Sequence, residues 1–131
     1  MHNHIQPSDM VEAAHPARGR HLLLTLGGCP PALLDDCPAL EALVRRAAEA
    51  SGATVLHVVA HRFEPHGVTA LALLAESHAS LHTYPEHGAA FWDCFTCGPH
   101  CAPERSADVL IAALRPESVQ QQLVERGNAS L

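Results

Sequence analysis

The sequence predicts an α+β fold, a two-layer α/β sandwich in which two helices cover one face of a mostly antiparallel sheet. Three observations carry this. Two pairs of apolar, partly β-branched runs are each joined by a four-residue turn containing Pro and Gly, the pattern of hairpins. Two further stretches repeat apolar residues at steps of three and four, the period of a helix packed on one side. The resulting order (strand, helix, two hairpins, helix, strand) suits a sheet with both helices on the same face. At 131 residues and 47% hydrophobic content, the chain has room for one core and not two.

Residues 1–18 mix His, Pro, Asp and Ala without a period and read as a flexible N-terminal arm, leaving 19–131 as a single domain. His21 to Leu26 is a compact apolar run stopped by Gly27-Gly28-Cys29-Pro30-Pro31, hence a buried strand and a turn. Asp35-Asp36 then precede Leu40, Leu43, Val44 and Ala47, a helix with acidic residues at its start and Ser51-Gly52 at its end. Ala53–Phe63 and Val68–Ala75 form one hairpin around Glu64-Pro65-His66-Gly67; Ser77–Tyr84 and Ala89–Thr96 form another around Pro85-Glu86-His87-Gly88. Pro103–Leu114 is the second helix, spaced at Ala107, Leu110, Ile111 and Leu114, and Val119–Val124 is a last short strand.

Composition excludes several roles. A net charge of −6 with no Lys/Arg cluster lacks the basic face that a nucleic acid requires. No apolar run approaches the roughly 20 residues of a membrane span, and the first residues carry no signal pattern, so a soluble, cytoplasmic protein is expected. Five cysteines, at 29, 37, 94, 97 and 101, are odd in number and three of them crowd one stretch, which fits a reducing compartment better than a disulfide framework. Protonation of the eleven histidines would reverse the sign of the net charge, so solubility is expected to drop near about pH 6.

The chemistry concentrates in Glu76-Ser77-His78-Ala79-Ser80-Leu81-His82-Thr83-Tyr84-Pro85-Glu86, followed by Phe95-Thr96-Cys97-Gly98. Both motifs, at this spacing, resemble the prokaryotic S-adenosylmethionine decarboxylase proenzyme family. His61-Arg62-Phe63 and Gly67-Val68-Thr69 match as well, and the similarity extends over about residues 19–115. It implies a pyruvoyl-dependent carboxy-lyase that cuts itself between Glu76 and Ser77 into chains 1–76 and 77–131. Ser77 would become a covalent pyruvoyl group, no metal would be needed, and the decarboxylated product would serve as aminopropyl donor for spermidine synthesis. The family also implies a homodimer with pockets at the interface.

Residue chemistry supports this. A decarboxylase needs a sink for the electron pair left by carbon dioxide, and no ordinary side chain supplies the electrophilic carbonyl. Pyridoxal phosphate would need a lysine, and the chain has none. Attack of the Ser77 hydroxyl on the Glu76 carbonyl requires a proton acceptor and a group to hold the oxyanion. By resemblance, His82 assists the cut, Thr69 positions the oxygen, and Cys97 is the acid that returns a proton to the substrate, a role suited to a thiol of ordinary pKa about 8.5. Phe63 and Tyr84 would flank the adenine and attract the sulfonium, and Glu86 would accept the ribose hydroxyls.

Tyr84 stands where most members have Trp, and Trp92 and Cys94 enlarge the strand before Cys97, so both are expected to border the substrate pocket. His78 and His82, four apart on a strand, share a face, where His78 is as well explained by a structural role, and Ser80 is open. Two alternatives stand beside the main reading. One is a pyruvoyl-dependent arginine or ornithine decarboxylase on the same scaffold. The other is a zinc module using Cys94, Cys97, His100 and Cys101, weakened because a three-residue strand step points Cys94 and Cys97 to opposite faces.

Overall fold

Alternating apolar residues at the start of the described region form the first strand. A computed structural model describes residues 17–127, so the expected N-terminal arm lies almost wholly outside the described residues. Strand β1 is Gly19–Gly27, and Leu22, Leu24 and Leu26 point from it into the core. Helix α1 is Cys37–Ala50; the Asp36 side chain caps it by accepting from the Ala39 N–H at 3.2 Å. Its Leu40, Leu43, Val44 and Ala47 are buried. Strands β2 (Val55–Arg62), β3 (Val68–Leu74), β4 (Ser77–Tyr84) and β5 (Ala89–Thr96) follow, then helix α2 (Glu104–Leu114) and strand β6 (Ser118–Arg126).

The six strands form one sheet in the order β2-β3-β4-β5-β1-β6, with every neighbouring pair antiparallel. α1 packs on β2, β3 and β4, and α2 packs on α1 and β1, so both helices lie on one face as expected. Trp92 and Cys94 point into this layer. The Trp92 indole donates to Ser106 Oγ at 2.8 Å, and burial pushes the Cys94 thiol up to about 11. Neither borders the substrate pocket; even-numbered residues of β5 face the helices.

Three elements differ from expectation. The first hairpin strand begins at Val55, two residues late. The last strand runs nine residues, because it pairs along all of β1, from Gly19 with Arg126 to Gly27 with Ser118, and that ladder recruits polar flanks with no apolar alternation. The Pro31 turn is a 3-10 helix, Pro31–Leu34, which buries Leu34 and presents its carbonyl to Thr83 Oγ1 at 2.7 Å.

Among the described residues no helix covers the other sheet face. Across it run His57, Val59 and His61 from β2; Thr69, Leu71 and Leu73 from β3; His78, Ser80 and His82 from β4; Phe91, Asp93 and Phe95 from β5; and His21, Leu23 and Thr25 from β1. Val59, Leu71, Leu73 and Phe91 are exposed there.

Candidate active site

The predicted site residues gather in two groups at opposite ends of this open face. At one end a two-residue turn, Ala75-Glu76, joins β3 to β4. Ser77 opens β4 with φ 153°, a region that costs a residue with a Cβ about 1–3 kcal/mol. The Glu76 carbonyl oxygen accepts the Cys97 N–H at 3.0 Å, a contact that follows from Ser77 pairing with Thr96 across the β4–β5 ladder. The carbonyl before the strained serine is therefore already polarised by a fixed donor.

The Glu76 side chain is buried. Its Oε1 accepts the Thr54 N–H at 2.9 Å, and its Oε2 lies 3.1 Å from His100 Nε2. Burial opposes ionisation, but these two partners together with the residue's own backbone N–H outweigh it and hold the carboxyl below the usual range. Gly98 makes room, since a Cβ there would come within 2.7 Å of the His100 ring and 3.1 Å of Glu76 Cγ. Cys97 is a partly buried free thiol beside this turn.

At the other end Thr69 and His82 pair across β3 and β4, Oγ1 and Nδ1 being 3.0 Å apart. With Phe63, Tyr84 and Glu86 they line a cavity of about 240 Å³. Tyr84 stacks edge-on against Phe91 with centroids 5.6 Å apart, and Phe63 likewise against His61 at 4.7 Å. Glu86 Oε2 lies 3.2 Å from His66 Nε2. The carboxyl's own amide N–H and His66 keep it below the ordinary carboxylate range against a desolvation cost.

All eight predicted residues thus fall into two clusters: Glu76, Ser77 and Cys97 in one, Phe63, Thr69, His82, Tyr84 and Glu86 in the other. Thr69 and His82 lie on the strands flanking the cut, as expected, but at their far ends. Five strand steps separate Ser77 from His82, roughly 17 Å at about 3.4 Å each. Sequence reasoning missed Thr54 and His66, and left His100 only in a metal reading; they reach the carboxylates through long-range pairing that no local motif signals. It also missed Asp93, which stands between the clusters and accepts from Ser80 Oγ at 2.6 Å.

Among the described residues the four zinc candidates do not converge on one point, because Cys94 faces the helices. Metal-ligating atoms converge instead in Glu76, His100 and Cys101, within 4.8 Å of one another. No helix among the described residues is long and apolar enough to cross a membrane.

Residues 20–127 match the family model described as S-adenosylmethionine decarboxylase. The chain belongs to the S-adenosylmethionine decarboxylase family. An S-adenosylmethionine decarboxylase proenzyme of Parasynechococcus marenigrum is 52% identical over 99 residues, which are 76% of this chain and 77% of the relative. One from Methanococcus maripaludis is 44% identical over 109 residues, 83% of this chain and 89% of the relative. The crystal structure of the adenosylmethionine decarboxylase from Aquifex aeolicus superposes with a TM-score of 0.79 at 36% identity, covering 87% of this chain and 94% of that one. Membership in this decarboxylase family accounts for both motifs, and no observation favours the arginine, ornithine or zinc alternatives.

Proposed function

We propose that this chain is an S-adenosylmethionine decarboxylase proenzyme that cuts itself at Glu76-Ser77 and decarboxylates S-adenosylmethionine. The observation that carries the proposal is the bond itself: a strained serine follows a carbonyl that the Cys97 N–H already holds. Ser77 Oγ attacks the Glu76 carbonyl carbon, the C–N bond breaks, and the amide becomes an ester with Ser77 N free. Loss of the Ser77 Cα proton then breaks the Cβ–O bond and releases Glu76 as a carboxylate at the end of chain 1–76. The dehydroalanine left on chain 77–131 takes up water and loses ammonia, so no oxidant is consumed. The pyruvoyl group so formed would supply the electrophilic carbonyl for the substrate amine and the sink for the electron pair.

The division of the site supports a homodimer. One chain presents Ser77 and Cys97 at one end of an exposed, partly apolar sheet face and Thr69 and His82 at the other. A two-fold pairing of two such faces about an axis running across the strands would bring each end of one copy against the opposite end of the other, completing two sites. Tyr84 and Phe63 then bracket the adenine and attract the sulfonium, Glu86 accepts ribose hydroxyls, His82 of the partner subunit handles the Ser77 Cα proton, and the Cys97 thiol protonates the decarboxylated carbon.

Intact mass of purified protein tests the cut: two chains, 1–76 and 77–131, are expected, with Ser77→Ala remaining whole. A wild-type chain still intact after prolonged incubation would sink the proposal. Release of labelled carbon dioxide from S-adenosylmethionine, arginine and ornithine, compared side by side, tests the substrate, and turnover of either amino acid alone would overturn it.

A further inference from the structure

Beside the cut lies a base that the assignments above do not use. Adjacent residues of a regular strand point to opposite faces, yet Ser77 Oγ and His78 Nδ1 are 3.1 Å apart. The positive φ at Ser77 breaks the alternation and lets the two side chains meet. The far side of the His78 ring faces a carboxylate, with Nε2 3.8 Å from Asp93 Oδ1, an ion-pair distance longer than a hydrogen bond. His82, by contrast, lies at the other end of the same strand, so within one chain His78 is the imidazole in reach of the hydroxyl.

Asp93 is fixed for this position. Its Oδ2 accepts Ser80 Oγ at 2.6 Å and its Oδ1 lies 3.1 Å from His21 Nε2. Arg126 Nη1 approaches His21 Nδ1 at 3.4 Å. A carboxylate oxygen accepts and an arginine can only donate, so His21 donates from Nε2 to Asp93 and turns Nδ1 toward the guanidinium. The carboxylate thus accepts from two fixed donors, and His78 is the third group that faces it. Ser80, undecided from sequence, acquires a role here as an anchor of Asp93.

Resting on the self-cleavage proposal, we propose that His78 is the catalytic base of its first step and that Asp93 is its positioning residue. With its proton on Nε2, toward Asp93, His78 offers a free Nδ1 lone pair to the Ser77 hydroxyl. As Oγ bonds to the Glu76 carbon, Nδ1 takes the hydroxyl proton, and the Glu76 oxygen gains the electron pair under the Cys97 N–H. When the C–N bond breaks, the imidazolium returns that proton to Ser77 N and becomes neutral again. The Asp93 anion stabilises the imidazolium in between. The two histidines divide the reaction: His78 serves ester formation, His82 of the partner subunit serves the elimination.

That division gives the test. Hydroxylamine cleaves an ester and leaves an ordinary amide intact, and the chain has no Asn-Gly bond for the reagent to attack instead. In denatured His82→Ala protein, hydroxylamine is expected to release 1–76 and 77–131 from an accumulated ester. Denatured His78→Ala protein is expected to stay whole, having stopped at the amide, and its cutting, slowed by roughly 10²–10⁴-fold, should recover with added imidazole. Asp93→Asn should slow ester formation less, with Asp93→Glu recovering part of the rate. His78→Gln, melting at the temperature of uncut Ser77→Ala, should also stop at the amide, which separates lost chemistry from lost folding. Cutting of either His78 variant at the wild-type rate, or accumulation of a hydroxylamine-sensitive bond in it, overturns the inference while leaving self-cleavage standing. A wild-type chain that never cuts takes both down.

Discussion

The two ends of the open sheet face are built by different means. At the Ser77 end the decisive contacts belong to the backbone: a strained φ, a carbonyl held by the amide of residue 97, a carboxylate tied to the Thr54 N–H. At the His82 end they belong to side chains projecting around an open cavity, with Phe63 and Tyr84 both exposed. Backbone geometry survives most substitutions, whereas a wall of side chains changes with each one. Bond cleavage and substrate recognition can therefore be perturbed separately.

The sharpest test of backbone against side chain lies within the Ser77 end itself, in Cys97→Ala. It keeps the amide that holds the Glu76 carbonyl and loses only the thiol, so cutting should persist while decarboxylation falls by roughly 10²–10⁴-fold. Gel and turnover assays on one preparation decide it, and loss of cutting together with turnover would show that the thiol, and not only the amide, serves the cut. Co-expression of Ser77→Ala with His82→Ala breaks the comparison differently. Hybrid dimers hold one site made from two unmutated halves, so random mixing should restore about a quarter of wild-type cutting. No recovery would mean that one chain completes its own site. A smaller effect is expected from Glu86→Gln, which should leave cutting unchanged and raise KM for S-adenosylmethionine about tenfold, the weight of one hydrogen bond to a charged group. Acid stability should move least. The Glu76 carboxyl is held below its ordinary value, so its contribution is present above about pH 4.3 and lost as pH falls through the lower folded value. Melting of uncut Ser77→Ala against pH should therefore weaken in that window, and Ser77→Ala/Glu76→Gln should weaken less.

Much of the fold was legible because the apolar alternation and the turn residues agree. Both hairpins, both helices and the helix-covered face follow from runs such as Val68–Leu74 and from the spacing of Leu40, Leu43, Val44 and Ala47. The place of β1 between β5 and β6 was not legible, since pairing partners far apart in sequence leave no local mark. For the site, the motifs supplied the residue types and family resemblance their roles, but roles carry no coordinates. The separation of Ser77 from His82 was in fact calculable from five strand steps, whereas the break in alternation at Ser77, which brings its hydroxyl to His78, left no mark in the sequence. Asp93 was visible as an acid amid an apolar strand, yet its meaning depends on His21, seventy-two positions away, which only the β1–β5 register supplies.

The strand order has a further consequence for the life of the molecule. Chain 1–76 would contribute β1, β2 and β3, and chain 77–131 would contribute β4, β5 and β6, yet β1 lies between β5 and β6. The two products are interleaved, so neither can leave without opening ladders on both sides of β1. Maturation thus costs the native assembly little while removing the route back to it: a covalently joined search becomes an encounter between two fragments. The mature protein should persist through a high barrier to unfolding, and once unfolded it should recover only slowly and in proportion to concentration.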